Sequence, residues 1–198
     1  TNYVMLEWGQ PLHAFDYDIL QSRADGQTPT IIVRRAKQDE TMATLDEVER
    51  KFSDDMLLIT DTAGPLAVAG VMGGLQSEIN DNTVDVLIEA ANFEFISIRK
   101  TSEALKIPSE SSIRFGRGVD PELTWPVLRY TAELMRLYAG GTVCQGAVDE
   151  YPGKKEPVII DLPKNEVKRL LGIVLDTQSI AEMLEKLGFS CEVLSEDI

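Results

Sequence analysis

A chain of 198 residues with 43% hydrophobic and 26% charged residues has ordinary globular composition, with room for one full domain and part of another. Nineteen basic residues against 33 acidic ones give a formal charge of -14, which argues against a protein that grips nucleic acid through a broad cationic face of its own. No run approaches the roughly 18 apolar residues that span a bilayer, and the first residues lack signal-peptide organisation, so a cytoplasmic protein without membrane contact is expected.

From Ile31 to Phe93 the chain reads as short β segments: IIVRRA, MATL, a strand near Val48 to Phe52, MLLIT, PLAVAGV and VDVLIEA. Turn clusters such as Asp61-Thr62-Ala63-Gly64 divide them. A helix is expected from about Ser97 to Lys106, followed by a loop of small polar residues around Ser109 and Ser111. A second helix should run from about Pro121 to Ala139, with Asp120 as N-cap, Pro121 at N1, apolar residues at helical spacing, and Gly140-Gly141 as its stop. This order predicts an α+β fold, with a β-rich core of sandwich-like sheets flanked by helices.

The stretch EYPGKKEP (150–157) concentrates proline, glycine and charge, which places a domain boundary there and divides the chain into 1–150 and 151–198. Beyond it a strand, PVIIDL, a helix around Lys164 to Leu171, and another from about Thr177 are expected, a piece too short for a full core of its own. The start at Thr1 without methionine, and the end at Ile198 just after an apparent strand, suggest a segment of a longer polypeptide. Cys144 and Cys191 do not form a CxxC and fall on opposite sides of that boundary, so two reduced thiols are expected.

Two dense stretches carry most of the chemistry, GQPLHAFD (9–16) and SESSIRFGRGVD (109–120). His13, the only histidine, stands beside Pro11 and between Leu12 and Ala14, where it reads either as a core residue satisfied by a backbone carbonyl or as a site residue. Residues 99–118 carry Arg99, Lys100, Lys106, Arg114 and Arg117 against Glu103 and Glu110, a modest basic patch that solvated helix charges explain equally well. With one histidine a metal site would need carboxylates alone, and no loop gathers them. The GG of GVMGG is a turn signal without the lysine or spacing of a phosphate loop.

Five segments in order, TNYVMLEWGQPLHAFD (1–16), IIVRRAKQDETMATLD (31–46), PLAVAGVMGG (65–74), VLIEAANF (86–93) and SESSIRFGRGVDPEL (109–123), resemble the beta subunit of bacterial phenylalanyl-tRNA synthetase. The resemblance implies that residues 1 to about 150 are that subunit's editing module, which hydrolyses tyrosine mischarged onto phenylalanine tRNA, and that the rest begins a winged-helix-like domain. It implies the alpha subunit of a heterotetramer as partner. It also implies ATP and magnesium for the parent ligase, and no cofactor in this segment.

The chemistry behind such a module is that a pocket shaped for phenylalanine rejects an added hydroxyl only about 10²-fold where protein synthesis needs ~10⁴ to 10⁵, so a second site must reward that hydroxyl. In the resemblance Glu89 accepts the tyrosine hydroxyl, and Asn2, Gly73, Ser109 and Ser111 line the same pocket. His13 becomes the catalytic candidate, positioning water or the ester. Asn2 read alone is equally a helix cap, and Gly73 would let backbone approach the ligand. Ser109 and Ser111 stand where the family usually has Thr and Ala, and Gly116 where it usually has Glu, which leaves any ion pair of Arg114 or Arg117 open. Two rival readings remain: a non-catalytic RNA-binding or subunit-interface module with a vestigial pocket, and a serine hydrolase pairing one of Ser109, Ser111 or Ser112 with His13, for which there is no GxSxG elbow.

Overall fold

A computed structural model of the chain describes residues 1–194. Contacts divide it into two compact units, Thr1–Gln145 and Gly146–Ile198.

Residues 1–30, to which the sequence reading assigns no element, open the first unit with regular structure. Helix α1 (Asn2–Trp8) stops at Gly9, whose positive φ of 78° turns the chain and whose N–H closes onto the Met5 carbonyl. Strand β1 (Leu12–Asp16) follows, and Asp16 both ends it and caps α2 (Tyr17–Arg23) by accepting the Ile19 N–H at 3.1 Å.

The β-rich stretch forms β2 (Ile32–Arg35), β3 (Thr41–Ala43), β4 (Glu49–Lys51), β5 (Leu57–Thr60), β6 (Pro65–Val68), β7 (Met72–Gly73) and β8 (Val86–Ala90). One antiparallel sheet has the order β2-β5-β6-β7, while β3 pairs with β4 and β1 with β8. The central strands read as unbroken apolar runs because both faces of this sheet are covered. On one face Leu58 and Val68 pack with Met42, Phe52, Ile98 and Phe115. On the other Ile59 and Ala67 pack with Phe15 and Leu20. Each large apolar side chain so buried contributes roughly 1.5–3 kcal/mol. The α+β architecture of antiparallel sheets flanked by helices is the one the sequence predicts.

The helices depart from expectation in three places. Helix α3 (Phe95–Leu105) starts slightly early because Glu94 accepts the N–H groups of Ile96 and Ser97. The expected loop at Ser109–Ser111 is instead the start of α4 (Glu110–Phe115), nucleated by a reciprocal cap in which Ser109 accepts the Ser112 N–H at 3.0 Å and Ser112 accepts the Ser109 N–H at 2.9 Å. The helix expected from Pro121 begins as a 3-10 turn, Pro121–Leu123, capped by Asp120, and continues as α5 (Thr124–Ala139). Pro126 explains the restart, since its missing N–H is tolerated only in a first turn.

The second unit contains α6 (Lys164–Leu171) and α7 (Thr177–Glu185), the latter capped by Asp176 on the Ser179 N–H. PVIIDL joins no ladder among the described residues, and Val158, Ile159 and Ile160 are exposed, a correction with a simple cause: strand propensity needs a partner to satisfy its N–H and C=O groups. Ala181 is the one buried apolar residue of this unit among those described. The strand expected before Ile198 is not formed through Leu194, and residues 195–198 lie outside the described residues. Cys144 is exposed and Cys191 half-buried, both as free thiols. Among the described residues no helix is long and apolar enough to cross a membrane.

Candidate functional site

The pairing of β1 with β8 joins residues far apart in the chain and sets Leu12 against Ala90, Ala14 against Ile88, and His13 directly against Glu89. Directly opposed residues share a face of an antiparallel pair, so the imidazole and the carboxyl are neighbours. His13 shares its face with Phe15, two residues along, and the two rings meet edge to face at 4.5 Å between centroids. Phe15 is core, so it anchors the strand beneath the imidazole.

On its other side the imidazole lies against β7. A Cβ on Gly73 would fall 2.5 Å from His13 Cε1, 3.0 Å from Nε2 and 3.1 Å from Leu45 Cδ1. The glycine therefore makes room for the histidine ring. Among the described residues His13 Nε2 is buried without a hydrogen-bond partner, so none of them offers it the backbone carbonyl expected of a satisfied core histidine.

These side chains open into a cavity of about 240 Å³. Met5, Leu12, Ile59, Phe93 and Phe115 give it apolar walls, with the last two aromatic rings edge to face at 5.1 Å. Asn2, His13, Glu89, Ser109 and Ser111 supply its polar groups, and Gly73 completes the floor behind His13. All six residues singled out from the sequence thus line one cavity. Asn2 reaches it from the first turn of α1 and makes no side-chain cap there. The sequence reading missed the apolar wall, although Phe93 and Phe115 stand inside segments it quotes.

Burial sets the electrostatics. It raises Glu89 from an ordinary 4.5 to about 7 and lowers His13 from 6.5 to about 4, because each loses water that stabilised its charged form. At neutral pH the site therefore holds an uncharged imidazole beside a carboxyl near its midpoint. The hydroxyls are committed elsewhere: Ser109 donates to the Val71 carbonyl at 2.6 Å, Ser111 to the Gly70 carbonyl at 3.0 Å, and Ser112 to the Ser109 carbonyl at 3.0 Å. No hydroxyl partners His13 Nε2, so a serine–histidine nucleophile is not assembled there. The arrangement can bind an aromatic side chain, recognise a hydroxyl and orient water. Among the described residues no three His, Cys, Asp or Glu side chains gather as a metal-binding group.

Part of the basic patch is spent internally. Arg99 donates to the Gly116 carbonyl at 2.5 Å and lies over the Phe95 ring, while Arg114 pairs with Glu110 one turn earlier, without help from position 116. Lys100, Lys106 and Arg117 remain exposed.

A family profile described as the B3/4 domain matches residues 1–140. The chain is 48% identical over 187 residues to the phenylalanine–tRNA ligase beta subunit of Moorella thermoacetica, covering 94% of this chain and 22% of that protein. Against the phenylalanine–tRNA ligase beta subunit of Bacillus subtilis it is 42% identical over 190 residues, 96% of this chain and 23% of that one. The chain thus spans under a quarter of the length of these curated relatives. A crystal structure of an N-terminal fragment of the phenylalanyl-tRNA synthetase beta subunit from Pyrococcus horikoshii aligns over 98% of this chain and 56% of its own, with 16% identity and a TM-score of 0.42.

Proposed function

This chain belongs to the B3/4 domain family, and from that premise we propose that it carries the editing site of a phenylalanine–tRNA ligase beta subunit, hydrolysing tyrosine mischarged onto phenylalanine tRNA. The observation that supports this reading is the juxtaposition of His13 and Glu89 across β1 and β8 inside an aromatic-walled cavity.

The apolar wall takes an aromatic ring, and Glu89 selects the ring that bears a hydroxyl. Tyrosine would hydrogen-bond the carboxyl, a bond of about 1.5–3 kcal/mol when Glu89 is ionised and ~0.5–1.5 kcal/mol when it is protonated. Phenylalanine leaves that group unpaired in an apolar place. Its raised pKa makes Glu89 able to accept the phenol proton above about 7 and to donate its own below.

The ester of an aminoacyl-tRNA is already reactive, so orienting a water and stabilising the developing oxyanion suffices without a covalent intermediate. Neutral His13 suits that positioning work, since at neutral pH it offers both a donor and an acceptor nitrogen. In this proposal aminoacylation, with its ATP and magnesium and its alpha-subunit partner, belongs to the rest of the longer protein, and tRNA contacts are shared with that remainder because this chain is acidic. Deacylation of tyrosyl-tRNA by the complete ligase, with and without Glu89→Ala, tests the reading. Loss of tyrosine discrimination with phenylalanine activation intact is expected, and equal deacylation by the two would refute the assignment.

A further inference from the structure

Strand β7 is two residues long and pairs with β6 through only Met72↔Val68 and Gly73↔Ala67. So short a ladder cannot fix a position by itself. At its far end the Gly73 carbonyl accepts the Leu45 N–H at 3.0 Å, and the Gly74 N–H donates to the Leu66 carbonyl at 2.7 Å. At its near end the chain turns through Gly70, whose φ of +67° permits a tight bend and whose missing Cβ would otherwise lie 2.9 to 3.1 Å from Phe93, Ile98 and Phe115. This turn presents two successive carbonyls, Gly70 and Val71, to the N-terminal end of α4, where the hydroxyls of Ser111 and Ser109 take them at 3.0 and 2.6 Å. Two residues further on, the bare Cα of Gly73 seats the His13 ring.

We propose that Ser111 is a positioning residue for His13, acting together with Ser109 through the carbonyls of Gly70 and Val71 and the backbone of Gly73. Ser109 also caps α4, so its hydroxyl is needed for the helix in any case. The Ser111 hydroxyl carries no such duty. Its hydrogen bond to Gly70 ties the wall formed by α4 to the turn that leads into the strand on which the imidazole rests. Without it the carbonyl of Gly70 must find water, the 70–73 segment loosens, and His13 gains solvent and rotational freedom. The consequence for ester hydrolysis rests on the editing reading; the mechanical link does not.

His13 is the only histidine, so its ring nitrogens and protons give unambiguous NMR signals in the chain as it stands. Ser111→Ala is expected to displace those signals and to raise the titration midpoint from about 4 by ~1 unit, part of the way back to 6.5. Ser111→Thr, which keeps the hydroxyl, should leave both near the parent values, and Gly73→Ala serves as a control that must move the signals. In the complete ligase Ser111→Ala should lower kcat for tyrosyl-tRNA deacylation by about tenfold with KM nearly held. Unmoved His13 signals in Ser111→Ala, with the control responding, overturn the proposal, and so does a fall in melting temperature without a change at His13. If the signals move as expected but the parent ligase does not deacylate tyrosyl-tRNA, the link stands and the editing reading alone fails.

Discussion

Gly73→Ala places one methyl carbon where the structure has an imidazole. The new Cβ would lie 2.5 Å from His13 Cε1 and 3.0 Å from Nε2. Carbon atoms rest at about 3.5–4.0 Å, so something must retreat by roughly 1 Å. The backbone is poorly placed to do so, being held jointly by the Leu45 N–H, the short β6 ladder and the Ser109 and Ser111 hydroxyls on the turn that precedes it. Gly73 is not among the residues with positive φ, so alanine brings no backbone strain of its own. The imidazole yields instead, and a displacement of about 1 Å in a positioned group costs on the order of 10²-fold in rate. Overpacking adds ~1–3 kcal/mol of destabilisation, a few degrees in melting temperature. Single-turnover deacylation of tyrosyl-tRNA by the complete ligase measures the rate, and thermal melting of this chain measures the cost. A variant that melts near the parent and hydrolyses at the parental rate refutes the reasoning.

His13→Ala should reduce hydrolysis only partially, by about 10- to 100-fold, and in a Glu89→Gln background, which removes the carboxyl's own titration near 7, the pH profile should lack an inflection near 6.5, because burial holds the imidazole near 4; complete loss in His13→Ala with such an inflection in Glu89→Gln would mark an obligatory base. In the parent, discrimination between tyrosyl and phenylalanyl esters should rise by about tenfold as pH passes upward through 7, where Glu89 ionises, and Glu89→Gln should flatten that rise. The same two groups load folding stability in opposite directions. Glu89, raised from 4.5 to about 7, costs nothing for ionisation below 4.5 and destabilises the fold increasingly as pH rises to 7, whereas His13, lowered from 6.5 to about 4, costs nothing above 6.5 and destabilises it increasingly as pH falls to 4. Between pH 4.5 and 6.5 the melting temperature should therefore climb more steeply than the parent's in Glu89→Gln and less steeply in His13→Ala; parallel curves would show that neither group is buried as described. Arg23→Met should cost about 3–5 kcal/mol, because it strands the Asp61 carboxylate that Arg23 holds at 2.6 and 2.9 Å with only 6% of its side chain exposed. A loss below about 1 kcal/mol would mean that the amides of Ala63 and Gly64 suffice to hold it.

The sheet was legible because its strands are apolar runs set off by turn residues, and a sheet covered on both faces leaves that plain signature. What failed was what depends on distant partners. Helix α1 has seven residues and no side-chain cap, too little for a helical period to declare itself. Strand β1, LHAFD, mixes a histidine and an aspartate into five residues, and its strand character comes from β8, which no local rule foresees. PVIIDL is the reverse case, with strand propensity and no partner among the described residues. The cap of α4 was missed because serine, not glutamate or glutamine, fills the third helical position of the capping box at Ser112.

The six candidate residues could be named from wording, but their relations could not, and the relations carry the chemistry. Glu89 alone is a strand residue with a carboxyl; only opposite His13, in a cavity that Phe93 and Phe115 also line, does it lose enough water to titrate near neutrality. Gly73 alone is half of a turn signal, whereas in the fold it is the one residue type that lets His13 lie where it does. A desolvated carboxyl and a buried imidazole nitrogen without a partner among the described residues both weaken the folded state, where apolar side chains of similar size would not. Groups that oppose folding persist where a ligand completes them. That opposition, rather than any single residue's identity, is the physical reason for reading this cavity as a site.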